Sequence, residues 1–242
     1  MIQLGLLPPV IRSYRPMQSG ADNAGIGITQ HGERYLLKTD PKVCLAEFVG
    51  AALCRASEVP CADPAVVNYR GRSVFGSRLE SGVELPESEL DLIEQVKKCQ
   101  NMTIFSAVLA IDIALGNNDR HWHNWLPQRQ LNGDVFLRAV DFSRAWPTYH
   151  PPRPFESLRN ENTEQAWRQW HALGVVYDHK SASDACEIIK TLSGDWLANL
   201  FEQLPVEWMV DASGPELCDW WAKYWTARVD DTLAFLQSGA WT

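Results

Sequence analysis

The sequence predicts an α+β protein in two lobes: a small, strand-rich N-lobe with one helix over about residues 1–80, and a mostly helical C-lobe over about residues 81–242. Three observations predict it. Short strand candidates crowd the first eighty residues around a single helical stripe. From Pro86 onward, apolar residues recur at helical spacing instead. A polar loop, Asn117–Asn124, then follows an almost wholly apolar helix, as a loop at the rim of a cleft would. With 242 residues, 45% of them hydrophobic, the chain is long enough for a sizeable core in one domain of two lobes.

In chain order, Val10–Tyr14, Ile26–Gln30 and Arg34–Thr39 read as strands separated by turns. Asp40 is an N-cap with Pro41 at the first helical position. Leu45, Phe48, Val49, Ala52 and Leu53 form the stripe of the helix that follows. Ala65–Tyr69 and Ser73–Ser77 read as two more strands joined at Gly71. Leu90, Ile93 and Val96 then mark one helix, and Ile104, Val108, Ile111 and Leu115 a second that stops at Gly116. Trp125–Leu126 and Val135–Val140 are extended pieces around a turn at Asn132-Gly133. Pro147, Pro151, Pro152 and Pro154 make a connection into the closing helices. In the last of these, Leu217, Trp220, Trp221, Tyr224, Trp225 and Arg228 share one face, which is expected to pack in the core.

A formal net charge of -8 argues against nonspecific binding of nucleic acid or an anionic membrane. No helix-turn-helix is evident. No apolar run reaches the roughly 18–20 residues of a membrane helix, and the first residues do not read as a secretory signal. The six cysteines include no CxxC pair and sit largely on apolar faces, so reduced, buried thiols and a cytoplasmic location are expected.

The chemistry concentrates in Asn118-Asp119-Arg120-His121-Trp122-His123-Asn124 and in Val140-Asp141-Phe142. Asp119 and Asn124 lie in the loop that ends an apolar helix, and Asp141 ends an apolar strand. Oxygen donors from two adjacent loops suit magnesium, a hard ion that bridges polyphosphate oxygens. A carboxylate that does not hold the metal can orient or deprotonate an attacking hydroxyl. Lys38, at a strand end, stands nine residues before Glu47 on the next helix. The His121-x-His123 spacing also permits a zinc hydrolase built on Asp119, His121, His123 and Asp141, a reading that leaves Lys38 and Glu47 without a role.

Lys38, Glu47, the DRHWHN run and VDF occur in the order and rough spacing of HipA-like kinases, bacterial protein kinases related to toxin–antitoxin kinases. The chain resembles the short, single-domain members over nearly its whole length. The DRHxxN core also resembles phosphatidylinositol 3/4-kinases. The resemblance implies a protein-kinase-like fold using ATP and Mg2+. Asp119 is then the catalytic base or hydroxyl positioner, with His121 a second candidate for proton handling. Asn124 and Asp141 are the magnesium ligands. Lys38, oriented by Glu47, contacts the α/β-phosphates. The turn at Ser19-Gly20-Ala21 covers the phosphates, and Ser77–Glu80, including Leu79, is the adenine-binding hinge.

One departure stands out. HipA-type loops often carry lysine where this chain has His123, a third catalytic candidate, expected to lie beside the transferred phosphate and to assist transfer when protonated. The implied activity is serine/threonine phosphorylation of a protein substrate, with autophosphorylation at Ser19 and an antitoxin-like partner as further expectations. A phosphoinositide or small-molecule kinase, or a pseudokinase binding module, is the alternative.

Overall fold

The computed structural model describes residues 7–17, 25–146, 158, 160–239 and 241. The expected phosphate-covering turn, Ser19 to Ala21, lies outside them, as do the four prolines after residue 146. The first elements are β1 (Ile11–Arg15), β2 (Gly25–Thr29), β3 (Arg34–Lys38), α1 (Pro41–Ala56), β4 (Asp63–Tyr69) and β5 (Arg72–Leu79). The strands form one antiparallel sheet in the order β1-β2-β3-β5-β4. The sheet curls until its edges meet. Pro9 O accepts the Asn68 N–H at 2.8 Å, and the Tyr14 and Tyr69 rings lie 5.3 Å apart. Alternation sorts the side chains. Tyr35 and Leu37 join Val67 and Val74 in one apolar cluster, while Leu36, on the opposite face, joins Leu79, Leu126 and Val140 in another.

Asp40 caps α1 by accepting the Lys42 N–H, with Pro41 in the first turn. The helix is buried from Val43 to Cys54, more completely than a single stripe predicts, because it is covered on both sides. Phe48 meets Phe75 of β5 at 6.3 Å and Trp208 at 6.2 Å. A helix enclosed this way is apolar all round.

Beyond the sheet come α2 (Glu89–Val96), α3 (Ile104–Leu115), β6 (Trp125–Arg129), β7 (Val135–Ala139), α4 (Glu161–Ala172), α5 (His179–Lys190), α6 (Gly194–Phe201) and α7 (Gly214–Ser238). α3 ends in a left-handed Gly116, as the sequence indicates. β6 runs three residues past the expected Leu126, straight through Pro127. The register places Pro127 opposite Leu137. The Leu137 N–H and C=O are both taken by the Asn101 side chain, at 2.8 and 3.0 Å. Leu137 therefore asks nothing of Pro127, whose missing N–H costs the ladder nothing. β5 likewise extends to Leu79, which pairs with Arg34.

The aromatic face of α7 is core, as expected: Trp220 stacks on Trp146 at 4.9 Å and Trp221 on Trp225 at 3.8 Å. One continuous apolar core runs from α1 through α7.

Candidate active site

The β6–β7 hairpin explains how residues seventeen apart become neighbours. Trp125 pairs with Ala139, and Val140 N–H donates to Asn124 O at 3.1 Å. Asn124 at the entry and Asp141 at the exit of the hairpin thus stand side by side. The Asn124 amide nitrogen donates to Asp119 O at 2.7 Å. Asp141 holds φ at +67°, a left-handed conformation that aspartate tolerates better than most residues.

Lys38 reaches the same place from β3. Its Nζ lies 2.8 Å from Asp141 Oδ2 and 3.2 Å from Glu47 Oε1. Glu47 Oε2 accepts the Phe142 N–H at 2.9 Å, so α1 is tied to the segment carrying Asp141. The 3.2 Å approach at Glu47 Oε1 is a charge contact without hydrogen-bond alignment, since that buried oxygen has no hydrogen bond. The backbone under Lys38 is held as well: the Cys44 thiol donates to Lys38 O at 3.1 Å and accepts the Phe75 N–H at 3.3 Å. Burial pushes that thiol up to about 12, so it stays protonated and inert.

The three charges divide unequally. Burial pushes the Glu47 carboxyl up to about 7, against the pull of Lys38. Burial also opposes the charge on Asp141, but the Lys38 ammonium and Ser143 hold its pKa down at about 2. Burial works against the Lys38 charge, and the two carboxylates raise its pKa above the ordinary lysine value. One cation between two carboxylates can neutralise only one of them.

A second buried assembly supports the loop, and sequence reasoning missed it. Asp112, inside α3, receives Arg120 Nε at 2.7 Å and Nη2 at 2.9 Å. Arg120 Nη1 donates to Val140 O and to Asn124 O, the latter at 3.3 Å. The guanidinium also sits 4.7 Å over the Phe142 ring. Asn117 Nδ2 reaches Asp112 Oδ1 at 2.7 Å. Arg120 thus clamps the carbonyl of Asn124 itself and the carbonyl of the residue before Asp141. The signal was present: Asp112 is the lone carboxylate of an otherwise apolar helix, which is costly unless paired.

These side chains border one cleft of about 900 Å³, counted to its open mouth. Lys38, Glu47, Asp119, His121, His123, Asn124 and Asp141 all line it, with Leu36, Leu126 and Val140 as an apolar wall. Ser77 lines it too. The neighbouring hinge residues do not reach it with their side chains. Leu79 packs in the cluster behind the wall, and the Glu80 carboxylate turns to Arg138 at 2.7 Å. Asp119 is paired with Arg144, Nε to Oδ2 3.7 Å. His121 Nδ1 accepts the His123 N–H at 3.3 Å, which leaves its proton on Nε2 when neutral. Burial pushes the His121 pKa down.

Among the described residues no three His, Cys, Asp or Glu side chains converge on a point that could hold a metal ion. That counts against the zinc reading. Magnesium takes one or two carboxylates plus substrate phosphate oxygens and water; Asp141 and the Asn124 amide oxygen are the residues here that could hold it.

No family model and no curated protein sequence matches this chain. Among solved structures it is similar to the proinflammatory kinase CtkA of Helicobacter pylori, at 11% identity and a TM-score of 0.54, over 94% of each chain. It is also similar to HipA of Shewanella oneidensis MR-1, seen with HipB and operator DNA, at 12% identity and a TM-score of 0.51. That match covers 85% of this chain and 59% of the HipA chain. The fold is therefore kinase-like, and the resemblance to HipA-like kinases carried by the sequence motifs extends to the architecture.

Proposed function

We propose that this chain is an ATP- and magnesium-dependent phosphotransferase of HipA-like type, acting on serine or threonine hydroxyls of a protein. The observation that carries the reading is the meeting of Lys38, Glu47 and Asp141 within 3.2 Å, in a cleft that also holds Asp119 and Asn124. The curled sheet with α1 serves as one lobe and the helical remainder as the other, with the cleft between them.

The Lys38 ammonium, kept charged by its carboxylates, binds the α/β-phosphates. Asp141 and Asn124 hold magnesium, which when bound offsets the negative charge of the phosphate chain. Asp119 orients the acceptor hydroxyl and takes its proton. His121, beside it, is a second candidate for handling that proton. Leu36, Leu126 and Val140 form an apolar surface for the adenine ring, with Ser77 at the end of β5. We assign the protein to the cytoplasm, with an antitoxin-like protein as a partner.

Magnesium–ATP should raise the melting temperature, because a ligand of the native state stabilises it, and Asp141→Ala should abolish that rise. Phosphate transfer should appear on serine or threonine. Transfer to phosphoinositides with none to protein would replace this acceptor assignment by the lipid one. Binding without turnover would make the chain a pseudokinase.

A further inference from the structure

We infer that Arg144 is a catalytic residue: its guanidinium supplies the permanent positive charge at the point of transfer. The inference rests on the phosphotransferase reading and extends it to a residue outside the sequence motifs.

The backbone carrying Arg144 is fixed. Ser143 N–H donates to Asp141 Oδ1 at 3.2 Å. Ala145 N–H donates to Phe142 O at 2.9 Å, and Trp146 N–H to Leu115 O at 2.8 Å. Ser143, Ala145 and Trp146 are buried. The Arg144 side chain is about one-third exposed (32%) and enters the cleft. A long cationic arm on a rigid base therefore reaches the cleft from the segment that carries Asp141.

Its place in the cleft is marked by one of its partners. Arg144 Nε is 3.7 Å from Asp119 Oδ2, an ion-pair distance too long for a hydrogen bond. An acceptor hydroxyl held by Asp119 stands with its oxygen roughly 3 Å from the phosphorus it attacks. The oxygens of the transferring phosphoryl therefore fall within reach of a guanidinium that already neighbours Asp119. In the step, the acceptor oxygen–phosphorus bond forms as the phosphorus bond to the β–γ bridging oxygen breaks. That oxygen leaves with the electron pair as part of ADP, and the hydroxyl proton passes to Asp119. Negative charge on the equatorial oxygens is what a planar, always-charged fork binds best. Lys38 is committed to Asp141 and Glu47. His123 is exposed at the cleft mouth.

The test compares affinities for MgADP and for MgADP with aluminium fluoride, a mimic of the transferring phosphoryl, by calorimetry. Arg144→Ala should leave MgADP affinity unchanged and weaken the aluminium fluoride complex by about 10²-fold or more, the scale for losing one preorganised donor to developing charge. Arg144→Lys should recover part of it, since an ammonium keeps the charge but not the fork. The turnover number should fall in the same order. Equal weakening of both complexes, or of neither, would overturn the proposal and leave Arg144 as a surface partner of Asp119. A wild type that binds and turns over beside an indifferent Arg144→Ala would overturn this assignment alone. A wild type that binds no magnesium nucleotide would end the phosphotransferase reading, and this proposal with it.

Discussion

Lys38 is shared between two carboxylates, and the resulting imbalance sets a pH signature for the nucleotide-free protein. Glu47 holds a proton more tightly in the fold than in the unfolded chain, since its pKa rises from an ordinary 4.5 to about 7. The stabilisation from that proton is complete below about pH 4.5 and is lost as pH rises through 7. Asp141 has the opposite sign: with its pKa lowered from 3.8 to about 2, its contribution is present above about pH 4 and is lost as pH falls toward 2. At about 1.4 kcal/mol per pH unit, the Glu47 rise is worth about 3 kcal/mol. Glu47→Gln should therefore flatten the fall in melting temperature between pH 5 and 7.5; parallel wild-type and variant curves would show that Glu47 is ionised throughout. His121 offers a second titration. Burial lowers its pKa, so it is neutral at pH 7. His121→Ala should slow transfer and change the shape of the turnover–pH profile around the His121 pKa. A turnover–pH profile that keeps its shape in the variant would remove His121 from proton handling.

At the scale of elements, α1 and the hairpin are fitted to each other at Gly50. A Cβ at that position would lie 2.3 Å from Phe142 Cγ, so the ring base occupies the space a side chain would need. One turn earlier, Glu47 accepts the Phe142 N–H. Gly50→Ala should push Phe142 away, costing about 1–3 kcal/mol as an overpacked core does. It should also weaken magnesium–ATP binding, because Asp141 moves with its neighbour. Urea unfolding and calorimetry on one variant would read both effects, and a stable protein with unchanged affinity would refute the coupling. The Asp112–Arg120 pair makes a larger claim: Asp112→Ala strands a buried guanidinium and should cost about 3–5 kcal/mol, read as a lower urea midpoint. These supports were poorly legible in the sequence. Gly50 sits in the middle of a helical stripe and gives no sign that a ring from ninety residues away lies on it. Arg120 lies inside the motif, yet nothing local says that it turns inward to Asp112. Lys38, Asp119, Asn124 and Asp141 were legible because strand ends, a helix-terminating glycine and a loop put their types in recognisable places.

Across the whole molecule, the order of elements was readable because it depends on local pattern: period-two strands around one capped helix, then long helical stripes. What could not be read depends on pairing at a distance. Pro127 reads as a strand end until Asn101 is seen to satisfy Leu137. The local pattern ended β5 at Ser77, whereas pairing with Arg34 carries it to Leu79. The sheet end and the helical part are also joined away from the cleft. Trp208 Nε1 donates to Ser73 O at 3.1 Å, and the core is continuous from α1 to α7. Such joining fixes Lys38 against Asp141 across 103 residues of chain. The central claim is that this junction binds a nucleotide whose phosphate is then transferred at Asp119. The most direct test measures magnesium–ATP binding and phosphate transfer side by side for wild type, Asp119→Asn and Asp141→Ala. The metal ligand acts on ground-state binding and the hydroxyl positioner mainly in the transition state. Wild type should bind and transfer, Asp119→Asn should bind with transfer lost, and Asp141→Ala should lose binding. Equal transfer by wild type and Asp119→Asn, or magnesium–ATP affinity indifferent to Asp141, would contradict it.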